Sequence, residues 1–253
     1  MNHAASRRTH RGALMDPLAF EAEIYRMCRV EDVWALMVAF ARTQGARRLG
    51  YHHVPPPGAP DSGLHRVEND GFAEALLAQY LAARSTGTAA LATTAQNSVH
   101  PVYLDEIERR SDLSPRERSN LAAYRAAGVE HGLAFSVYGP NARNALFAVE
   151  LEERRLPPDR LSALRWGGQV MHLRYSELLI ESLGDLPSLS EREAEILAWV
   201  ARGKSNASIG EILGISAHTV DAHLRRIYLK LGVVDRISAA LRGLGFGLIR
   251  IDA

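Results

Sequence analysis

The stretch ARGKSNASIGEILGISAHTVDAHLRRIYLKL, residues 201–231, decides how the second half of the chain folds. Gly203-Lys204-Ser205 has the ending of a phosphate-binding loop, and the basic residues Arg225, Arg226 and Lys230 follow it. A loop of the G-x-x-x-x-G-K-[ST] type requires a glycine five places before its second glycine. That place is Ala198, inside LAWVARG, which has helical periodicity and no strand before it. Such a cradle needs backbone N–H groups free to meet phosphate, and helical amides are already hydrogen-bonded. The nucleotide reading is set aside, and Gly203 is read as the left-handed residue that ends a helix.

Read as helices, the stretch is coherent. Ser190-Glu191-Arg192-Glu193 has capping-box spacing ahead of a helix that turns Ile196, Leu197 and Val200 inward. A second short helix starts at Ser205, presents Ile209, Ile212 and Leu213, and stops at Gly214. The third starts at Ser216 and sets Val220, Leu224, Ile227 and Leu231 on one stripe, with Asp221, Ala222, Arg225, Arg226 and Lys230 on the other face. Two capped helices joined by Leu213-Gly214-Ile215 form a helix-turn-helix. A fourth helix over 235–244 adds Ile237, Ala240, Leu241 and Leu244 as an apolar stripe.

The chain has 253 residues, room for two ordinary domains. Its net charge is +1, so affinity for a polyanion has to come from local clustering. The single Cys28 excludes an internal disulfide framework. Arg7, Arg8 and Arg11 precede no long apolar run, and no stretch reaches the length of a membrane span, so a cytoplasmic protein without a membrane partner is expected.

Residues 1–19 lack periodicity and are expected to be a flexible extension. From Phe20 to about Gln44 apolar residues recur at helical spacing, and YHHVPPPGAPDSG reads as a short strand entering a Pro/Gly loop. Residues 70–83 read as a helix opened by Asp70, followed by a weakly patterned stretch to about Asp105. Ser114 caps a helix with Pro115 at its first position, running to Ala127. LAFSVYG and ALFAVELE, separated by PNARN, make a hairpin. A long amphipathic helix spans 158–182, and GDLPSLS breaks the chain. The domain limits expected are 20–182, a linker at 183–188, and 189–253.

LSEREAEILAWVARGKSNASIGEILGISAHTVDAHLRRIYLKLGVVDRISAA, residues 189–240, resembles the DNA-binding domain of the LuxR family of transcription regulators. One departure is Gly210, where the family usually has alanine, at a cost of up to ~1 kcal/mol in helix propensity. The resemblance implies a third helix in the major groove, with base-facing roles for Asp221, Ala222 and Arg225. Arg225 can offer a bidentate fork to guanine, Ala222 can meet a thymine methyl, and Asp221 can accept from a cytosine amino group. Thr219, Arg226 and Lys230 are cast as phosphate contacts, with Lys204 and Ser205 at the second helix's N-terminus and Ser216 at the third's. From Ser188 onward there are nine Lys/Arg against seven Asp/Glu, so a dimer on two half-sites is expected.

AAGVEHGLAFSVYGPNARNALFAVELE, residues 126–152, is similar to part of the acyl-homoserine-lactone-binding domain of quorum-sensing LuxR regulators. That implies an α+β chain: an N-terminal α/β/α sandwich on an antiparallel sheet, then an all-α four-helix helix-turn-helix domain. The pocket helix of relatives carries tryptophan and tyrosine four apart; here Tyr80 keeps the tyrosine and Leu76 replaces the tryptophan. Ala89-Ala90 stands where the family has Asp-Pro, whose carboxylate accepts from the ligand amide, and Leu104 where it has tryptophan. Candidate lining residues are Phe72, Leu76, Tyr80, Leu104, Phe135 and Phe147. The resemblance implies no cofactor, and a small-molecule signal that is either an acyl-homoserine lactone or another apolar ligand; a protein with no ligand stays open beside these.

Other motifs carry no chemistry. His52 and His53 are adjacent, so on a strand they face opposite sides and cannot share a metal. Glu130, His131 and Ser136 lack a nucleophile-elbow context, and Asp105, Glu106 and Glu108 read as an exposed acidic run. No enzyme is expected. The partners implied are double-stranded DNA, a second copy of the chain and RNA polymerase. The alternative is a regulator that heterodimerises with a related LuxR-type protein and inhibits it.

Overall fold

The computed structural model describes residues 14–64 and 66–250; the expected extension at 1–19 lies largely outside them. The chain begins with α1 (Pro17–Ile24), α2 (Val30–Thr43), β1 (Ala46–Val54), β2 (Val67–Asp70) and α3 (Glu74–Ser85). It continues through α4 (Ala90–Gln96), β3 (Val102–Tyr103), α5 (Leu104–Glu108) and α6 (Pro115–Ala126). Next come β4 (Gly132–Tyr138), a 3-10 turn (Pro140–Ala142), β5 (Asn144–Leu151) and α7 (Pro158–Glu181). Four helices close it: α8 (Glu191–Ala201), α9 (Asn206–Leu213), α10 (Ala217–Leu231) and α11 (Arg236–Gly245).

The strands form one sheet in the order β2-β1-β5-β4-β3, with β3 antiparallel to β4 and Val102 opposite Ala134. Both faces are covered at β4 and β5, because side chains alternate along each strand and there both sets are buried. Ala134 and Leu146 face a cluster built with Leu76, Leu104, Leu121 and Tyr124. The next residues along, Phe135 and Phe147, turn the other way and stack with ring centroids 5.1 Å apart. There they meet α7 at Gly168, where an added Cβ would lie 3.0 Å from the Phe135 ring. A glycine inside a helix costs about 0.5–1 kcal/mol against alanine; here it admits the aromatic pair.

Three expectations for the first half change. The periodic run from Phe20 to Gln44 is two helices, broken where both Nε and Nη2 of Arg174 donate to the Met27 carbonyl. The break folds Phe20 back onto Phe40, stacked at 4.3 Å. Asp70 opens no helix; it ends β2, where Arg42 donates to it at 2.8 Å, and α3 starts at Glu74. The weakly patterned stretch before Asp105 contains α4 and β3, both short.

The chain packs as two compact units. The first holds the described residues up to Tyr51 with Glu68–Val137 and Leu146–Arg174; the second holds His52–Val67, Tyr138–Ala145 and the described residues from Tyr175. Within the second unit His53 is buried, with Nε2 2.7 Å from Asp61 Oδ2, and Arg143 Nη2 donates to the other Asp61 oxygen at 3.0 Å. Burial works to raise the Asp61 carboxyl, but His53 and Arg143 outweigh it and hold it below its ordinary value. His53 is therefore a structural partner, with His52 on the opposite side of β1.

The helices from α8 to α11 share a core of Ile196, Leu197, Val200, Ile209, Val220, Leu224, Ile227, Leu231 and Ala239. Ser190, Ser205, Ser216 and Asp235 cap the four helices with their side chains. Gly214 ends α9 at φ 66°, in the left-handed region that a side chain resists. Gly203 likewise follows α8 at φ 78°. Gly210 is a packing residue, since a Cβ there would lie 2.6 Å from the Ile215 carbonyl oxygen. Three apolar positions are misassigned by periodicity alone: Ile212 on α9 is 46% exposed, and on α11 Ile237 is 70% and Leu241 42% exposed, where Ala239 and Gly243 are buried instead.

Glu193 is 4% exposed. Its Oε2 accepts from the Ser190 amide at 2.8 Å and from Lys230 Nζ at 2.7 Å. Burial alone would raise its carboxyl; Lys230 and then Ser190 outweigh that and hold it below its ordinary value. Glu193→Gln should therefore lower the unfolding free energy at neutral pH by about 1–3 kcal/mol in urea melts. A carboxyl depressed on folding contributes fully above its unfolded value near 4.5, and loses that contribution as pH falls through the folded value. The gap between wild type and variant should close in that acid window; a gap constant across it would show that charge plays no part.

Candidate functional site

α10 carries its apolar stripe on one side, with Val220, Leu224, Ile227 and Leu231 buried. The helical repeat then sends Asp221, Ala222, Arg225 and Arg226 to the other side. Arg225 Nη2 and Asp221 Oδ2 are 2.8 Å apart, with side chains 75% and 41% exposed. An exposed i,i+4 pair of this kind contributes only about 0.3–0.5 kcal/mol, but it holds the guanidinium along the helix. Arg has five donors and the pair takes part of them, so the fork keeps a free edge toward solvent. Arg226 is also exposed, with only long approaches to the Ala222 carbonyl at 3.4 Å and to His223 Nδ1 at 3.5 Å.

Ser216 accepts the Thr219 amide at 3.0 Å, and Ser205 the Ser208 amide at 3.2 Å. Both hydroxyls act as caps, so these sites present a helix terminus rather than an unengaged side chain. Lys204 is exposed just before α9. Its carbonyl accepts from Arg236 Nη2 at 2.6 Å, while Arg192 Nη2 donates to the Leu213 carbonyl at 2.8 Å. These two arginines fix both ends of α9.

The structure corrects the reading of Lys230. Its ammonium meets the buried Glu193 carboxylate, so its charge ties α10 to the start of α8 rather than standing ready for phosphate. The sequence holds both residues 37 positions apart, and nothing in local spacing pairs them. The acidic run is corrected as well: Asp105 is met by Arg109, Arg154 and Arg155, and Glu108 by Arg125. Burial pushes Asp105 up, but these arginines carry its carboxyl down to about 2.

In the first unit, Leu76 and Leu104 are core members of one buried cluster, and Phe72 and Tyr80 pack against it. Ala89 and Ala90 belong to the same cluster, at 1% and 3% exposure. Burial raises the Tyr80 hydroxyl to about 12, against the pull of Arg84. Phe135 and Phe147 are corrected out of this set, since they lie on the opposite face of the sheet. Two further buried residues outside the candidate set lie on α6. Tyr124 is buried there, its hydroxyl raised first by burial and then by Tyr80. Asn120, four residues earlier on α6, is 4% exposed, and neither Oδ1 nor Nδ2 meets a protein partner among the described residues. An asparagine on the buried stripe of a capped helix was the available signal.

Comparison with known proteins agrees with both halves. Residues 29–175 match the autoinducer-binding domain, and residues 187–242 match the bacterial regulatory proteins of the luxR family. The chain belongs to this LuxR family: it is a DNA-binding transcription regulator with an autoinducer-binding domain, and not an enzyme. It is 26% identical over 228 residues to the HTH-type transcriptional regulator y4qH of Sinorhizobium fredii, covering 87% of this chain and 69% of that one. It is 32% identical to the transcriptional activator protein SolR of Ralstonia nicotianae over 51% of this chain and 53% of SolR. Among solved structures it is similar in fold to Escherichia coli SdiA, with TM-score 0.64, 23% identity and coverage of 92% and 97%. A complex of SdiA with octanoyl-rac-glycerol aligns with TM-score 0.65 and 21% identity, covering 92% and 94%. No helix among the described residues is long and apolar enough to cross a membrane.

The two basic residues on α10 should separate in experiment. Lys230→Ala should lower the unfolding midpoint, since it strands a buried carboxylate, and leave the salt dependence of DNA binding nearly unchanged. Arg226→Ala should flatten the slope of log K against log salt by about one unit without moving the unfolding midpoint. Exchanged phenotypes would return Lys230 to the phosphate contacts.

Proposed function

We propose that the chain acts as a homodimer whose α10 lies in the major groove of double-stranded DNA. Asp221, Ala222 and Arg225 read base edges; Thr219, Arg226, Lys204 and the capped N-termini at Ser205 and Ser216 hold phosphates. The observation that carries this reading is the outward face of α10, where Arg225 is three-quarters exposed and aligned by Asp221. Dimer formation is supported by apolar side chains left exposed on α10, in the turn after it and on α11: Leu229 at 83%, Val234 at 93% and Ile237 at 70%. Covering them is what a second copy would supply. The working division is a sensor and dimerisation domain at 20–182, a linker at 183–188 and the DNA-binding domain at 189–253, acting in the cytoplasm beside RNA polymerase.

The signal is an uncharged molecule with an apolar tail, seated among Phe72, Leu76, Tyr80 and Leu104. Ala89 supplies no carboxylate and Leu104 no indole N–H, so the head is not read as in lactone-binding relatives. SdiA is seen with octanoyl-rac-glycerol, an acyl chain on a head without a lactone, and a ligand of that class suits the cluster.

The Asp221–Arg225 pair also favours one alternative, in which Asp221 spoils base reading and the chain inhibits a related regulator as a heterodimer. Duplexes selected from a random pool by the purified chain separate the two. On the selected duplex, Arg225→Ala should weaken binding by about 1–3 kcal/mol with folding intact. Failure to select any duplex at moderate salt, with loss of a relative's DNA binding on mixing, would install the heterodimer instead.

A further inference from the structure

We propose that Asn120 and Tyr124 on α6 read the head group of the signal, which must carry a hydrogen-bond donor and an acceptor on an uncharged head. The proposal rests on the reading of the α3–α6 cluster as the signal site. Tyrosines aside, Asn120 is the only polar or charged side chain in the buried class among the described residues from 66 to 142. Its oxygen and nitrogen are both sealed from solvent and without a protein partner among the described residues.

A primary amide accepts at one atom and donates at the other, so the group that satisfies it must donate and accept at once. Leaving both unmatched costs stability, which a well-chosen apolar residue would avoid. Tyr124 follows at i+4 on the same face of α6, and Tyr80 from α3 lies near enough to act on its hydroxyl. α6 packs against both α3 and α4, the helices that carry Tyr80 and the buried alanines. The acceptor that an aspartate at position 89 would bring from the start of α4 is instead brought from α6 by Asn120 Oδ1. The buried members of the cluster carry no charge, and Arg84, whose charge reaches Tyr80, is already engaged by Gln96, so an anionic head would be poorly matched in this dry surrounding. The ligand class is therefore a neutral acyl amphiphile, with a hydroxyl ester or an amide as head.

Calorimetry with the full chain tests this with three probes of one tail length: mono-octanoylglycerol, which donates and accepts; methyl octanoate, which only accepts; and octanoate, which is charged. Wild type should bind mono-octanoylglycerol at least roughly tenfold tighter than methyl octanoate, with octanoate weakest. In Asn120→Leu that preference should shrink to about twofold while methyl octanoate keeps its affinity. The ligand-free variant should also melt higher than wild type, because the unmatched amide is gone. A lower-melting Asn120→Leu with an unchanged preference would show a structural asparagine and overturn the proposal. Tyr124→Phe, nearly isosteric, guards against a variant that does not fold: full retention of the preference there overturns the proposal too. Equal binding of the three probes to wild type would sink the head-group reader and leave the signal site standing. Binding of none would remove both.

Discussion

Glu193 carries a carboxylate into the interior of the C-terminal helices, and donors from two places meet it: the Ser190 amide and hydroxyl at its own helix start, and Lys230 near the end of α10. Removing one partner from a buried charge is strongly destabilising, so α8 and α10 are joined at this point with little freedom to slip. The junction selects the rotation of α10 about its axis. With Leu231 and Ile227 turned to the core beside it, the repeat of 3.6 residues leaves 221, 222 and 225 facing out. Arg192 then holds the last carbonyl of α9, at Leu213, and Arg236 the Lys204 carbonyl just before that helix. A buried ion pair often contributes little net stability, and its best-attested use is to fix register; here the register is what displays positions 221, 222 and 225.

The same economy of placement governs the first unit. β4 and β5 are buried on both faces, so each of their residues is assigned to one of two compartments by parity alone. Ala134 and Leu146 line the compartment under α3, α4 and α6, and Phe135 and Phe147 belong to the compartment under α7. The first compartment is lined mainly by alanine and leucine. The aromatic stack on the other side is the packing that holds α7 against the sheet.

Much of this was legible in residue patterns because it is local. Ser190 and Glu193 lie three apart, Gly203 and Gly214 follow apolar runs, and the stripe from Val220 to Leu231 has helical spacing. What stayed hidden depends on pairing across long separations. Lys230 looks like any basic residue on a helix face until Glu193 is seen beneath it. Phe135 and Phe147 look like pocket residues until the register of the sheet sends them away. Ile212 and Ile237 fit an apolar period, yet stand in solvent, since the period cannot tell a core face from a face awaiting a partner. Asn120 was passed over because a polar residue in a helix normally marks the wet side.

The central claim is that α10 presents positions 221, 222 and 225 to the duplex, and site-directed photocrosslinking tests it most directly. A Cys28→Ser, Ala222→Cys chain carrying a photoactivatable aryl azide at 222 should attach to bases of a bound duplex, whereas the same probe on Glu195→Cys, on the exposed side of α8, should not. Crosslinks from 195 but none from 222 would contradict the orientation of α10 on which the whole account stands.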